Sequence, residues 1–156
     1  MAEMVDTSGK RRTARTAMAA GRLRLGPAAF AALAAGRLPK GDALATARVA
    51  AIQAVKKTPY VIPLCHPIPI DHVAVTYETD EAARTLDVRI TVSAEARTGV
   101  EMEALHGVAV FLLTVYDMAK SIDSSLTIEF IRLERKSGGR SGEWRRDSAP
   151  AGDAAG

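Results

Sequence analysis

Leu86-Asp87-Val88-Arg89-Ile90-Thr91-Val92-Ser93-Ala94-Glu95 decides the fold. Apolar residues take every second position and polar or charged residues take the rest. A strand places successive side chains on opposite faces, so this pattern builds one face for a core and one for water. Upstream, Val73, Val75 and Tyr77 alternate with smaller or polar neighbours in the same way. The short polar link over residues 80–84 turns the two runs into a hairpin.

Outward from that hairpin the period changes. Leu105, Val108, Leu112, Val115 and Ala119 recur at helical spacing, which predicts a helix over 102–120. Val110, Phe111 and Leu113 extend its apolar character around the other sides, the signature of a helix buried on more than one face, here by a sheet and a partner subunit. A final strand is expected from Leu126 to Leu133. On the N-terminal side, Pro59, Pro63, Pro67 and Pro69 are read as forbidding regular helix over 58–69. A helix capped by Asp42 runs before them to about Lys57, with Ala45, Val49, Ile52 and Val55 as its apolar face and many alanines that allow close approach to a sheet or a neighbouring subunit. A shorter helix starts near Pro27 and stops at Gly36. Residues 13–25 read as a loosely alternating strand.

These elements describe an α+β protein, an antiparallel sheet with helices packed on one face, in a ferredoxin-like arrangement. Residues 15–145 form one domain, preceded by a flexible arm over 1–14 and followed by a disordered tail over 146–156.

Composition narrows the function classes. The chain has 156 residues, 47% of them hydrophobic and 25% charged, as in globular proteins. No uninterrupted apolar run approaches the roughly 20 residues that span a bilayer, and no secretory pattern opens the chain. The expectation is a cytoplasmic protein with no membrane partner. The lone Cys65 excludes an internal disulfide and every multi-cysteine zinc pattern. Aromatic residues make up only 4%, and no strand pairs them as base-stacking platforms, which argues against an RNA-binding module despite the basic termini.

Four places carry chemistry. Pro63-Leu64-Cys65-His66-Pro67 is a proline-stiffened loop that presents an imidazole able to donate to phosphate or move a proton. For an arbitrary protein a structural histidine is the commoner reading. Thr98-Gly99-Val100-Glu101-Met102-Glu103 enters the long helix with two carboxylates, ordinarily explained by the macrodipole. Asp117 and Lys120 are surface neighbours at the other end, where an aspartate opposes that dipole. Lys136-Ser137-Gly138-Gly139-Arg140-Ser141-Gly142 resembles a phosphate loop in composition but lacks the Walker spacing. Glu103 and Asp117 lie fourteen residues apart, roughly 21 Å along the helix, so one small ligand cannot touch both from one chain. Either one end alone is functional, or a symmetric oligomer brings the two ends together.

In this order the blocks resemble one family. Met4-Val5-Asp6, Lys40-Gly41-Asp42 with Ala45-Thr46-Ala47-Arg48, Ile62-Pro63-Leu64-Cys65-His66-Pro67, Thr98 through Leu105, Tyr116-Asp117-Met118 with Lys120, and Lys136-Ser137-Gly138-Gly139 are similar to the cyclic pyranopterin monophosphate synthases of molybdenum-cofactor biosynthesis. The resemblance covers roughly residues 4–145. It implies a lyase that converts 3′,8-cyclo-7,8-dihydro-GTP to cyclic pyranopterin monophosphate and diphosphate. It also implies a homohexamer, a trimer of dimers, with interface active sites, while the scarcity of aromatics leaves no nucleic-acid partner expected. By position it assigns Asp117, Lys120 and Lys40 to catalysis. Leu64, Cys65, His66, Glu101, Met102 and Glu103 fall in its substrate-binding segments, Lys136 near the phosphates and Asp6 in an arm over the site. No cofactor or dedicated metal cage is required by the sequence; Mg2+ carried on the triphosphate is compatible with it. Arg140 stands where a lysine is also found in the family, and His106 matches no motif residue and is assigned to packing or surface.

Overall fold

The computed structural model describes residues 2–146. Its elements in chain order are β1 (Thr13–Arg24), α1 (Pro27–Ala34), α2 (Ala43–Val61), β2 (His72–Asp80), β3 (Thr85–Ala96), α3 (Glu101–Ala119), β4 (Thr127–Ser137) and the two-residue β5 (Trp144–Arg145). The strands form one antiparallel sheet in the order β2-β3-β1-β4-β5, with the helices packed against it. Strand, helix, hairpin, helix and strand in this spatial order form the ferredoxin-like arrangement. The expected tail lies, beyond Arg146, outside the described residues.

β3 behaves as its alternation demands. Leu86, Val88, Ile90 and Val92 are fully buried, while Arg89 and Glu95 are exposed. β1 runs between β3 and β4 and is lined with small residues. Gly21 faces α3 so closely that a Cβ there would sit 2.6 Å from Val108 Cγ1 and 2.7 Å from Leu112 Cδ1. The missing side chain lets the helix settle onto the middle of the sheet. Phe111, Leu112 and Val115 of α3 are fully buried. By length and composition α3 could cross a membrane, but half of that window is buried inside the fold.

α2 departs from the sequence reading in two ways. Its buried residues are Ala43, Ala47, Ala51, Ala54, Val55 and Thr58, whereas Val49 is exposed. The alanine face packs because it can come close: Gly107 of α3 lies where a Cβ would meet Val55 Cγ2 at 2.8 Å. Depth of approach outweighed side-chain size. The helix also continues to Val61 with Pro59 inside it. Proline removes the N–H that would bond the Val55 carbonyl. Thr58 Oγ1 lies 3.1 Å from that carbonyl and 3.1 Å from the Ala54 carbonyl, so a side-chain donor replaces the lost one. His106 Nδ1 is 3.1 Å from the same hydroxyl, which makes His106 a packing partner of this turn.

Two caps follow their sequence signals. The Asp42 carboxylate accepts from Ala45 N–H at 2.9 Å at the start of α2. Gly36 ends α1 at φ 64, with Gly36 N–H donating to Leu33 O and Arg37 N–H to Ala32 O, a Schellman motif.

Candidate active site

Site residues gather at the two ends of α3. At its N-terminal end the turn after α2 brings Leu64, Cys65 and His66 against Glu101, Met102 and Glu103, and Val5 and Lys10 of the arm complete a cleft of about 390 Å³. His66 and Thr98 also line an adjoining cleft of about 450 Å³ with Arg12 and Arg97. Together these volumes suit a nucleotide-sized ligand.

Glu103 is only 2% exposed, and burial, followed by the charge of Glu101, pushes its carboxyl above the ordinary value. A carboxyl in this setting holds its proton to higher pH than an exposed glutamate does. The Cys65 thiol is raised by burial and then by Glu103, so it is held as a thiol rather than a nucleophilic thiolate. Lys136 does not line the cleft. It lies on β4 rather than in a loop, and its Nζ donates to Glu101 Oε1 at 3.0 Å. Asp6 accepts from Ser8 N–H at 2.8 Å within the arm, and that backbone bond, then the Ser8 side chain, lowers its pKa. It stands beside the cleft-lining Val5 rather than in the lining itself.

The C-terminal end of α3 holds a second cluster. Lys40 Nζ donates to Asp117 Oδ2 at 2.6 Å, and Lys120 Nζ pairs with Asp117 Oδ1 at 2.8 Å. Asp117 and Lys120 were adjacent by helical spacing, whereas Lys40 arrives from the loop between α1 and α2. Hydrogen bonds from Lys120 and then Lys40 hold the Asp117 carboxyl down at about 2, and the same pair raises Lys120. At neutral pH this is an ionised carboxylate held between two lysine side chains. The aspartate that opposes the helix dipole is thus neutralised by the lysines on either side of it.

The structure therefore unites Leu64, Cys65, His66, Glu101, Met102 and Glu103 in one place and Lys40, Asp117 and Lys120 in another. Within one chain it does not unite the two groups, which stand roughly 21 Å apart by helical rise. Lys10 joins this cleft from the arm, and no motif or spacing in the sequence marks it.

A ferredoxin-like α+β chain with an acid-, thiol- and imidazole-lined cleft at one end of its long helix, and a lysine–carboxylate cluster at the other, has the side chains of an enzyme that moves protons. The MoaC family model matches residues 4–139, and the chain belongs to the MoaC family. Similar proteins include one from Geobacter sulfurreducens, 53% identical over 92% of this chain and 90% of its own length, and one from Roseiflexus castenholzii, 54% identical over 91% and 90%. A protein from a Nocardioides species is 51% identical over 93% and 90%. All three carry the name cyclic pyranopterin monophosphate synthase.

Proposed function

We propose that the chain acts as a cyclic pyranopterin monophosphate synthase in molybdenum-cofactor biosynthesis, turning 3′,8-cyclo-7,8-dihydro-GTP into cyclic pyranopterin monophosphate and diphosphate in the cytoplasm. Family membership and the named relatives support the reaction. The observation that carries the mechanism is the Lys40–Asp117–Lys120 cluster.

Rebuilding a purine-derived ring into a pterin needs several proton transfers. With Asp117 ionised and Lys120 held protonated, the lysines supply protons and the carboxylate orients them. Substrate that displaces one lysine frees Asp117 to accept a proton in return. At the other end, the Glu103 carboxyl, whose pKa burial raises, is placed to exchange a proton with the ring heteroatoms. Closing the cyclic phosphate expels diphosphate, whose growing charge is met by His66, Lys136 and the lysines of the second cluster. The adjoining cleft with Arg12 and Arg97 offers room for the phosphate chain. Mg2+ enters on the triphosphate in this reading.

Because one chain separates the two clusters, the working unit is an oligomer in which one copy's cleft meets another copy's lysine cluster, within a trimer of dimers. Large apolar side chains left exposed on the outer helices, among them Val49, Tyr60, Val61 and Leu113, are consistent with such contacts. Diphosphate release from the cyclised nucleotide, measured for the wild type beside Asp117→Ala, tests the reading. Turnover by the wild type and a loss of about 100-fold or more in the variant are expected. A correctly folded wild type that releases no diphosphate contradicts it.

A further inference from the structure

We infer that Asp123, four residues past the end of α3, is a positioning residue that sets Lys40 against Asp117. The inference rests on the catalytic reading of that cluster. Asp123 is locked to α3 through its main chain, because Ile122 N–H and Asp123 N–H both donate to Ala119 O, at 2.9 and 3.3 Å. One carboxylate oxygen accepts from Ser125 N–H at 2.8 Å and Ser125 Oγ–H at 2.6 Å. The other reaches across and accepts from Gly26 N–H at 2.6 Å. Gly26 is the N-cap of α1, and no side chain of its own caps that helix.

Lys40 sits at the far end of the segment that Gly26 begins. α1 buries Ala29, Phe30 and Leu33, Leu38 is buried after it, and Gly36 closes the turn, so residues 26–38 pack as one segment ending two residues before Lys40. Among the described residues two polar ties join this segment to the end of α3. One is Lys40 to Asp117, and the other is Gly26 to Asp123. The first is the reactive contact, which must open when substrate enters. The second holds the two segments in register while it does. Gly26 is itself part of the device, since a Cβ there would lie 2.6 Å from Asp123 Oδ2. The carboxylate, ionised and stabilised by these donors, also faces the N-terminal end of α1, where negative charge is favoured.

Three variants test the inference: Asp123→Ala deletes the tie, Gly26→Ala displaces the carboxylate, and Asp123→Asn keeps one accepting oxygen for Gly26 while turning its NH2 toward the Ser125 donors. Two readouts apply, steady-state kinetics and the titration of the Asp117 carboxyl followed by carbon-13 NMR. In the first two variants kcat is expected to fall about 10-fold with KM nearly unchanged, since misplacement costs the chemical step rather than binding. The Asp117 carboxyl is expected to titrate higher, moving from about 2 toward 3.8 as Lys40 is released. Asp123→Asn is expected to fall between Asp123→Ala and the wild type in both readouts, since one of its two acceptors survives. Folded Asp123→Ala and Gly26→Ala proteins with wild-type kcat and a wild-type Asp117 titration would overturn the inference. A failure of the catalytic reading looks different: Asp117 then titrates higher in these variants while Asp117→Ala itself keeps full turnover.

Discussion

Glu103 shows how burial turns an ordinary helix-start carboxylate into a chemical group. At the first turn of α3 a glutamate is expected on dipole grounds alone, and nothing in the local sequence separates it from Glu101. The difference is tertiary. Glu101 is partly exposed and holds Lys136, whereas Glu103 is 2% exposed and faces the Cys65–His66 turn. A carboxyl whose folded pKa is raised above 4.5 opposes folding once pH climbs past 4.5, because the unfolded chain gives up its proton first. Glu103→Gln removes that opposition. Its melting temperature is expected to match the wild type below pH 4.5 and to exceed it at neutral pH, while turnover falls. Thermal unfolding followed across pH checks the sign; a variant equally or less stable at neutral pH contradicts the buried-acid assignment. The residue types of the site were legible through the family blocks. The burial that separates Glu103 from Glu101 was not, since it depends on contacts from segments 35 or more residues away in sequence.

At the scale of elements, the periodic runs were readable and the exceptions have local causes. β3 and α3 follow their hydrophobic periods closely, because each packs one continuous apolar face. The many alanines of α2 announced close approach but not which of them face the core, where Gly107 lets α3 come up to Val55 and the Ala51 carbonyl. Its last turn defied the proline rule because Thr58 supplies the missing donor. Thr58→Val leaves the Val55 carbonyl buried without its side-chain donor and is expected to cost about 1–3 kcal/mol. Adding Pro59→Ala to that variant restores a backbone N–H and is expected to recover part of the loss, although Pro59→Ala alone in the wild type gains less. Chemical denaturation of the three variants measures the coupling; strict additivity contradicts the donor-replacement account. Two further elements escaped the sequence for simpler reasons. β5 is two residues long, and Lys136 and Ser137 continue β4 into a stretch whose glycines read as loop.

The whole molecule raises the question of how two clusters at opposite ends of one helix serve one substrate. Length along α3 separates them by roughly 21 Å, and no rearrangement within a rigid helix shortens that distance. That separation was already visible in the spacing of Glu103 and Asp117. Lys40 joining Asp117 across 77 residues was not, because it depends on how α1 and its following loop dock against α3. If a cleft from one copy meets a lysine cluster from another, two variants damaged at different ends are complementary. His66→Ala spoils the cleft and Asp117→Ala the cluster, and each alone is expected to be nearly inactive. Dissociated, mixed in equal amounts and reassembled, random pairing leaves about a quarter of the sites with both ends intact. The measurement is diphosphate release by that mixture from the cyclised nucleotide. Recovery of about a quarter of wild-type activity is the result this account predicts, and a mixture as inactive as its parents would place the whole reaction within a single chain and contradict it.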